Sequence, residues 1–172
     1  KEFIQKHKLF SFYTALMLII VFIAIFAPWL APGDAFSSDM TKALQAPSAQ
    51  HWFGTDKLGR DVLSRIIYGT QLSLFMGVSI VVIMVSIGTV IGAVAGYFGG
   101  KVEMVLMRLA DIMLSFPGVV LAIAIAGILG GSIVNTILAL SVVGWAKYAR
   151  LVRSMTLKVR GEEYVTAAVM MG

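Results

Sequence analysis

Residues 66–100 read IIYGTQLSLFMGVSIVVIMVSIGTVIGAVAGYFGG and contain no charged side chain. A run of about 20 apolar residues is enough to cross the hydrocarbon core of a bilayer as a helix. This run is longer than that, and it ends at Gly99-Gly100, a pair that is typical of a helix end. The stretch therefore predicts a transmembrane helix over residues 66–100.

The rest of the chain has the same character. Of its 172 residues, 59% are hydrophobic and only 13% are charged, whereas about a quarter of the residues in a soluble domain are charged. The net charge of +5 comes from basic residues that flank apolar runs. That arrangement orients membrane helices and does not indicate a nucleic-acid partner. We therefore expect a polytopic membrane protein whose surroundings are membrane lipid.

A first span is predicted over residues 9–31, which carry no charge. A cleaved signal peptide is the alternative reading of a basic segment followed by an apolar run. The apolar run is too long for one, and Pro28 and Pro32 crowd the only small-residue stretch where cleavage could occur. We expect a retained span, with residues 1–8 before it.

Two more apolar runs follow the span at residues 66–100. A third span is predicted over residues 101–129, with a kink at Pro117. The pair Gly130-Gly131 predicts a tight extracytoplasmic turn over residues 130–132, which leads into a fourth span over residues 133–148. The expected fold class is an all-α membrane protein, a polytopic helical bundle.

The basic residues also predict the orientation of the spans. When the sides of the membrane alternate along the chain, one side receives ten of the 14 lysines and arginines, and the richer side is cytoplasmic. Residues 1–8 and 149–172 are then cytoplasmic, and residues 32–65 form an extracytoplasmic loop. The N-terminus is expected inside.

Glycine recurs at every fourth position near the end of the second predicted span, at Gly88, Gly92, Gly96 and Gly100. On a helix this spacing forms a ridge without side chains, which another helix can approach closely. Helix packing is the favoured interpretation, and a direct role in substrate contact is the alternative.

Arg108 and Asp111 lie three residues apart near the start of the third predicted span, so they can pair on one helix face. A buried proton relay is the alternative, because acids at membrane depth often mark ion paths. A relay normally needs more than one acidic group, and Asp111 is the only acid at a plausible depth. The ion pair is therefore expected.

No pattern in the chain indicates an enzyme. There is no cysteine, and the predicted topology puts His7 and His51 on opposite sides of the membrane, where they cannot share a metal ion. A phosphate-binding loop needs Gly, four residues and Gly-Lys-Ser/Thr, and the only Gly-Lys pair, Gly100-Lys101, lacks the rest. We expect no catalytic residue, no metal site and no ATP bound by this chain.

The segment after the fourth predicted span is basic as far as Gly161, which breaks it. A short helix is predicted to follow, with two acids at its positive end and small residues on one face. An ordinary surface helix is the alternative interpretation. The candidate interface residues of this segment are Glu162, Glu163, Tyr164, Val165, Thr166, Ala167, Ala168 and Gly172.

Two stretches resemble the permease subunits of bacterial peptide/nickel ABC importers. Residues 51–65, HWFGTDKLGRDVLSR, are similar to that family's FGTDxxGRDxxSR segment. Residues 166–172 resemble the first half of its EAA motif, with Thr166 in place of the acid. Residues 107–117 and 144–153 also look like the family. The positions that match the extracytoplasmic motif are Phe53, Gly54, Thr55, Asp56, Gly59, Arg60, Asp61, Ser64 and Arg65.

The resemblance implies a six-span permease in the bacterial inner membrane, of which four spans are present. The chain starts at Lys1 and stops inside the coupling motif, so both ends look cut. The implied partners are a second permease subunit, two ATPase subunits that hold ATP and Mg, and an extracytoplasmic substrate-binding protein. In this family the EAA helix docks on an ATPase subunit. The implied substrates are peptides, nickel chelates or related small solutes, and no residue selects among them.

Two other functions remain as alternatives. The first is an ATP-independent secondary transporter or channel, although such proteins usually carry polar groups at mid-bilayer and these span centres are nearly bare. The second is a membrane anchor or assembly factor, for which the extracytoplasmic motif has no obvious use.

Overall fold

The structure is a computed structural model that describes residues 8–171, without the side chains of Thr166, Ala168 and Val169. Nearly all of the regular structure is helical, and the pairing of extended backbone within the described part is a single bridge between Thr55 and Asp61. The all-α fold class is confirmed. The helices are α1 (Lys8–Ile25), α2 (Ala27–Leu30), a 3-10 turn (Met40–Lys42), α3 (Val62–Phe98), α4 (Gly100–Ser115), α5 (Gly118–Leu129), α6 (Ile133–Arg160) and α7 (Glu163–Met171).

The chain divides after Phe75 into two compact units. In the first, the loop between α2 and α3 returns to the start of α3. The backbone N–H of Gly33 donates to the hydroxyl of Ser64 at 3.0 Å, and the ring of Phe36 lies 5.3 Å from that of Tyr68, centre to centre. The beginning of this loop is therefore fastened to the first two turns of α3.

Within the described residues, α1 and α3 are each long and apolar enough to cross a membrane, and α4 with α5 qualifies only as a bent pair. The single kinked helix predicted over residues 101–129 is therefore wrong, because the chain bends by 89° between two helices. Proline has no N–H and disfavours helical backbone in the preceding residue. Phe116 is accordingly extended, and Pro117 precedes the first residue of α5.

The fourth predicted span, residues 133–148, forms the first part of α6. Helix α6 extends over 28 residues to Arg160, but only residues 133–146 precede its first charge at Lys147. Length and apolarity alone thus give two crossings among the described residues, or three with the bent pair. A crossing by α6 stays a prediction.

Small side chains form the core of the second unit. The buried positions of α6 include Ala139, Ala146 and Ala149, and α4 and α5 bury Ala110 and Ala122. Helices approach closely in membranes where such residues face each other. Long apolar side chains such as Val78, Val82 and Ile123 are mostly exposed, which suits contact with lipid or with other protein.

Candidate functional site

The motif at residues 53–65 folds around the carboxylate of Asp56. This carboxylate accepts hydrogen bonds from the backbone N–H groups of Leu58 (2.8 Å) and Arg60 (3.1 Å) and from the guanidinium of Arg60 (2.9 Å to Nε). The Arg60 guanidinium and the two N–H groups outweigh desolvation and lower the pKa of Asp56 to about 2. Asp56 therefore holds the turn Asp56–Arg60 closed as a charged group.

The glycines of the motif are required by the backbone. Gly54 and Gly59 have φ angles of +71° and +73°, in the left-handed region that favours glycine. A β-carbon on Gly59 would collide with the backbone of Asp39, whose N–H donates to the carbonyl of Leu58 at 3.0 Å. The turn thus packs directly on the earlier part of the loop.

Thr55 ties the motif to residues 42–45. Its backbone N–H donates to the carbonyl of Gln45 at 3.1 Å, and its hydroxyl accepts from the N–H of Gln45 at 2.9 Å. The same hydroxyl donates to the carbonyl of Lys42. Thr55 is 7% exposed, so its polar atoms are satisfied inside the loop.

Asp61 caps the long helix α3. Its carboxylate accepts from the backbone N–H of Ser64 at 2.8 Å, as an N-cap residue does, and it lies 3.0 Å from Nδ1 of His51. Burial raises the pKa of the Asp61 carboxyl, but the hydrogen bonds from Ser64 and His51 outweigh it and the pKa is lowered. The cap connects α3, the loop and, through the Ser64 hydroxyl, Gly33.

These contacts indicate that most residues of the motif stabilise the loop. Phe53 is 57% exposed and Arg65 reaches only to 3.5 Å from Asp56, whereas Thr55, Asp56, Arg60, Asp61 and Ser64 have partners within the first unit. Chemically, the arrangement can hold a loop rigid at the start of α3.

The glycine ridge lies against α6. An added β-carbon would come within 3.0 Å of an α6 atom at three of the four positions, a distance that real β-carbons essentially never show. The two helices can approach this closely only because the glycines have no side chains. The β-carbons met are those of Tyr148 for Gly88 (2.5 Å), Val152 for Gly92 (2.9 Å) and Thr156 for Gly96 (2.7 Å).

Gly100 does not belong to this ridge, so that part of the prediction is wrong. It begins α4 with a φ angle of +54°, and a β-carbon there would meet nothing within 4 Å. The reason is that α3 ends at Phe98 and Gly99 changes the chain direction with a φ angle of +65°. The four-residue spacing therefore no longer places a glycine on the same helix face after Gly96.

Two ion pairs fasten α4 to α6. Asp111 pairs with Arg150 at 2.5 Å, and Glu103 accepts from the guanidinium of Arg153 (2.6 Å to Nε). The prediction that Arg108 pairs with Asp111 is wrong, because the Asp111 carboxylate binds the guanidinium of Arg150 on the facing helix. The partners are 39 and 50 residues apart in sequence, so no local spacing could have found them.

An apolar cavity of about 470 Å³ lies where α4 and α5 meet at the bend. Met84 of α3 lies over Gly144 of α6, where a β-carbon would collide with its side chain. No local pattern in the sequence indicates this cavity, since its walls come from four helices. Its lining includes Met84, Met113, Phe116, Val119, Val143 and Lys147.

The candidate interface segment forms α7 after a sharp end to α6. The N–H of Gly161 donates to the carbonyl of Leu157 at 3.2 Å, and Glu163 lies in the first turn of α7. Tyr164 is 65% exposed, and Ala167 is also exposed. Gly172 and the side chains of Thr166 and Ala168 lie outside the described residues.

Comparison with known proteins gives two family matches. Residues 88–172 match the model of the binding-protein-dependent transport system inner membrane component. Residues 4–47 match the model of the N-terminal TM domain of oligopeptide transport permease C. The two matches together include the N-terminal apolar run, the glycine ridge, both ion pairs and α7.

Individual relatives agree with these matches. The dipeptide transport system permease protein DppC of Alkalihalophilus pseudofirmus is 42% identical over 98% of this chain and 56% of its own length. The nickel transport system permease protein NikC of Escherichia coli K12 is 38% identical over 91% of this chain and 57% of its own. The glutathione transport system permease protein GsiD of Escherichia coli O6:K15:H31 is 40% identical over 100% and 57%. The chain spans about half the length of these curated relatives.

Proposed function

The chain belongs to the family of binding-protein-dependent transport system inner membrane components, as the resemblance at residues 51–65 predicted, and we propose on this basis that it acts as a permease subunit of an ATP-driven ABC importer. Its spans form part of the translocation pathway for peptides or related small solutes. The names of its relatives support this substrate class, since they refer to dipeptide, nickel and glutathione transport.

The observation that carries the proposal is the position of α6. This helix packs on the glycine ridge of α3, forms two ion pairs with α4 and lies against α5. It then runs without a break to Gly161, next to α7. A displacement of α7 therefore has a direct mechanical route into the other helices of this unit.

We assign α7 and its flanking residues to the coupling interface with a separate ATPase subunit. The segment comprises residues 162–172, and its exposed Tyr164 and Ala167 are available to a partner. ATP and Mg belong to that partner, where hydrolysis takes place. A second permease subunit, a second ATPase subunit and an extracytoplasmic substrate-binding protein complete the proposed importer.

The proposed orientation puts the loop at residues 32–65 outside and α7 inside. In this orientation the rigid loop around Asp56 and Asp61 faces the substrate-binding protein. The inner membrane of a bacterium is the proposed location, in agreement with the family description.

The experiment that tests coupling adds bulk to the segment at residues 162–172 in the assembled importer. Ala168→Trp and Gly172→Trp are expected to leave the permease in the membrane but to weaken ATPase recruitment and abolish ATP-dependent uptake of a dipeptide. Met155→Trp, at an exposed position of α6, controls for bulk, and Thr166→Glu restores the acid of the family motif and should be tolerated. Co-purification of the ATPase and uptake into proteoliposomes are the measurements.

Two outcomes would contradict the proposal. Normal ATPase binding and uptake in both Trp variants would show that α7 is only a surface helix. Uptake that continues without ATP or the ATPase subunits would favour a secondary transporter or channel.

A further inference from the structure

An open groove of about 490 Å³ lies between α4 and α6, away from the coupling helix. Five charged side chains line it, and transport as proposed above assigns no ligand to them. They are Glu103, Arg108, Asp111, Arg150 and Arg153.

The charges of the groove do not cancel. Arg150 is paired with Asp111, and Arg153 with Glu103. Arg108 is exposed and forms no ion pair within residues 8–171. The groove therefore has one surplus positive charge, located on Arg108.

Arg108 lies at the border between the groove and an apolar surface. Residues three and four positions away are its neighbours on the helix. On one side these are Met104 and Asp111, which line the groove. On the other side they are Val105 and Ile112, which are 60% and 51% exposed. A cation at such a border suits a ligand with an anionic head and an apolar tail.

The depth of Arg108 supports the same conclusion. It lies eight residues after Gly100, or about 12 Å along the axis at 1.5 Å per residue. A charged side chain on an apolar helix is costly in a bilayer unless it meets a counter-charge or reaches the interface. Helical side chains lean toward the N-terminal end, so the Arg108 guanidinium can extend toward the interface at the start of α4.

We propose that Arg108 binds the phosphate of an anionic phospholipid at the mouth of this groove, with an acyl chain lying over Val105 and Ile112. The phosphate meets the one uncompensated cation, and the apolar chain covers the exposed stripe that also contains Val102 (43% exposed) and Leu109 (51% exposed). A soluble phosphate would use Arg108 alone and would leave this stripe uncovered. The lipid is therefore the source that fits both features.

The test uses the chain purified within its importer complex. The complex is reconstituted in nanodiscs of phosphatidylcholine with or without phosphatidylglycerol, and lipid retained after re-extraction is measured by mass spectrometry. Retention of phosphatidylglycerol is expected to fall about fivefold in Arg108→Gln, the change expected for loss of one cation near a lipid headgroup. Arg108→Lys should keep most of it. Lys101→Gln removes a cation from the same helix outside the groove and should change nothing.

Two further variants and one competitor separate the possible ligands. Val105→Ser and Ile112→Ser should also lower retention, and they leave the arginine in place if Arg108→Gln fails to fold. Unchanged retention in Arg108→Gln, or an equal loss in Lys101→Gln, would overturn the proposal. Displacement of the lipid by glycerol phosphate would also overturn it, because glycerol phosphate has no acyl chain. A further contrary result is that Arg108→Gln loses a partner subunit in detergent while its lipid retention is unchanged. That result would assign the groove to an acidic group of a partner protein.

Discussion

Val152 of α6 lies directly over Gly92 of α3, and a β-carbon on the glycine would be 2.9 Å from that of the valine. Gly92→Leu is therefore expected to push the helices apart and to destabilise the protein by about 1–3 kcal/mol, the usual cost of overpacking. Gly77→Leu is the matched control, because a β-carbon at Gly77 of the same helix meets nothing within 4 Å. Thermal unfolding of the detergent-purified protein measures both. Equal midpoints would show that the ridge does not limit the approach of α6.

The two ion pairs between α4 and α6 should differ in strength. Asp111 and Arg150 have side chains that are 51% and 52% exposed, whereas those of Glu103 and Arg153 are 22% and 32% exposed. Water that enters the open groove lined by Asp111 and Arg150 would screen the first pair. A double-mutant cycle with Asp111→Asn and Arg150→Gln should therefore give a coupling energy below about 1 kcal/mol. The cycle with Glu103→Gln and Arg153→Gln should give the larger value. The reverse order would mean that burial does not set the strength of these pairs.

The loop around Asp56 should loosen only in strong acid. The pKa of Asp56 is lowered from 3.8 to about 2, so its charged form stabilises the folded loop. That stabilisation is complete above pH 3.8 and is lost as the pH falls toward 2. Hydrogen exchange at the Leu58 and Arg60 amides, which donate to Asp56, should speed up in that window. Asp56→Asn should weaken protection at every pH, and an unchanged pH profile in this variant would exclude Asp56 as the cause.

The proposed orientation can be tested with single cysteines, because the chain has none. Lys57 and Lys158 are both exposed. In intact cells, Lys57→Cys should react with a membrane-impermeant maleimide. Lys158→Cys should react only after the membrane is opened, so that labelling of Lys158→Cys in intact cells would reverse the orientation.

Patterns that repeat along one element could be predicted from the sequence. The charge-free run at residues 66–100 gives α3, which covers most of it, and the four-residue glycine spacing gives the face that packs on α6 at Gly88, Gly92 and Gly96. The same spacing fails at Gly100, because a helix end depends on one residue, here Gly99 with its positive φ angle.

Contacts between distant positions could not be predicted in this way. Asp111 forms its ion pair with Arg150 on another helix and not with its neighbour Arg108. Which pair forms depends on how closely α4 and α6 pack. The resemblance at residues 51–65 identified the loop motif. The structure shows why these residue types are needed there, because they contact Asp39, Gln45 and Gly33. A local sequence pattern can therefore identify functional positions, but it does not predict their contacts with distant residues.

The 89° bend between α4 and α5 has a consequence for water. A helix that stops leaves the carbonyl groups of its last turn without partners on its own backbone, and Pro117 has no N–H to offer. The hydroxyl of Ser115 donates to the carbonyl of Ile112 at 2.7 Å, which satisfies one of them. Hydrocarbon cannot satisfy the others. If the pair is a broken span, the bend is a wet point inside the bilayer, reached by solvent or by polar groups of a neighbouring subunit.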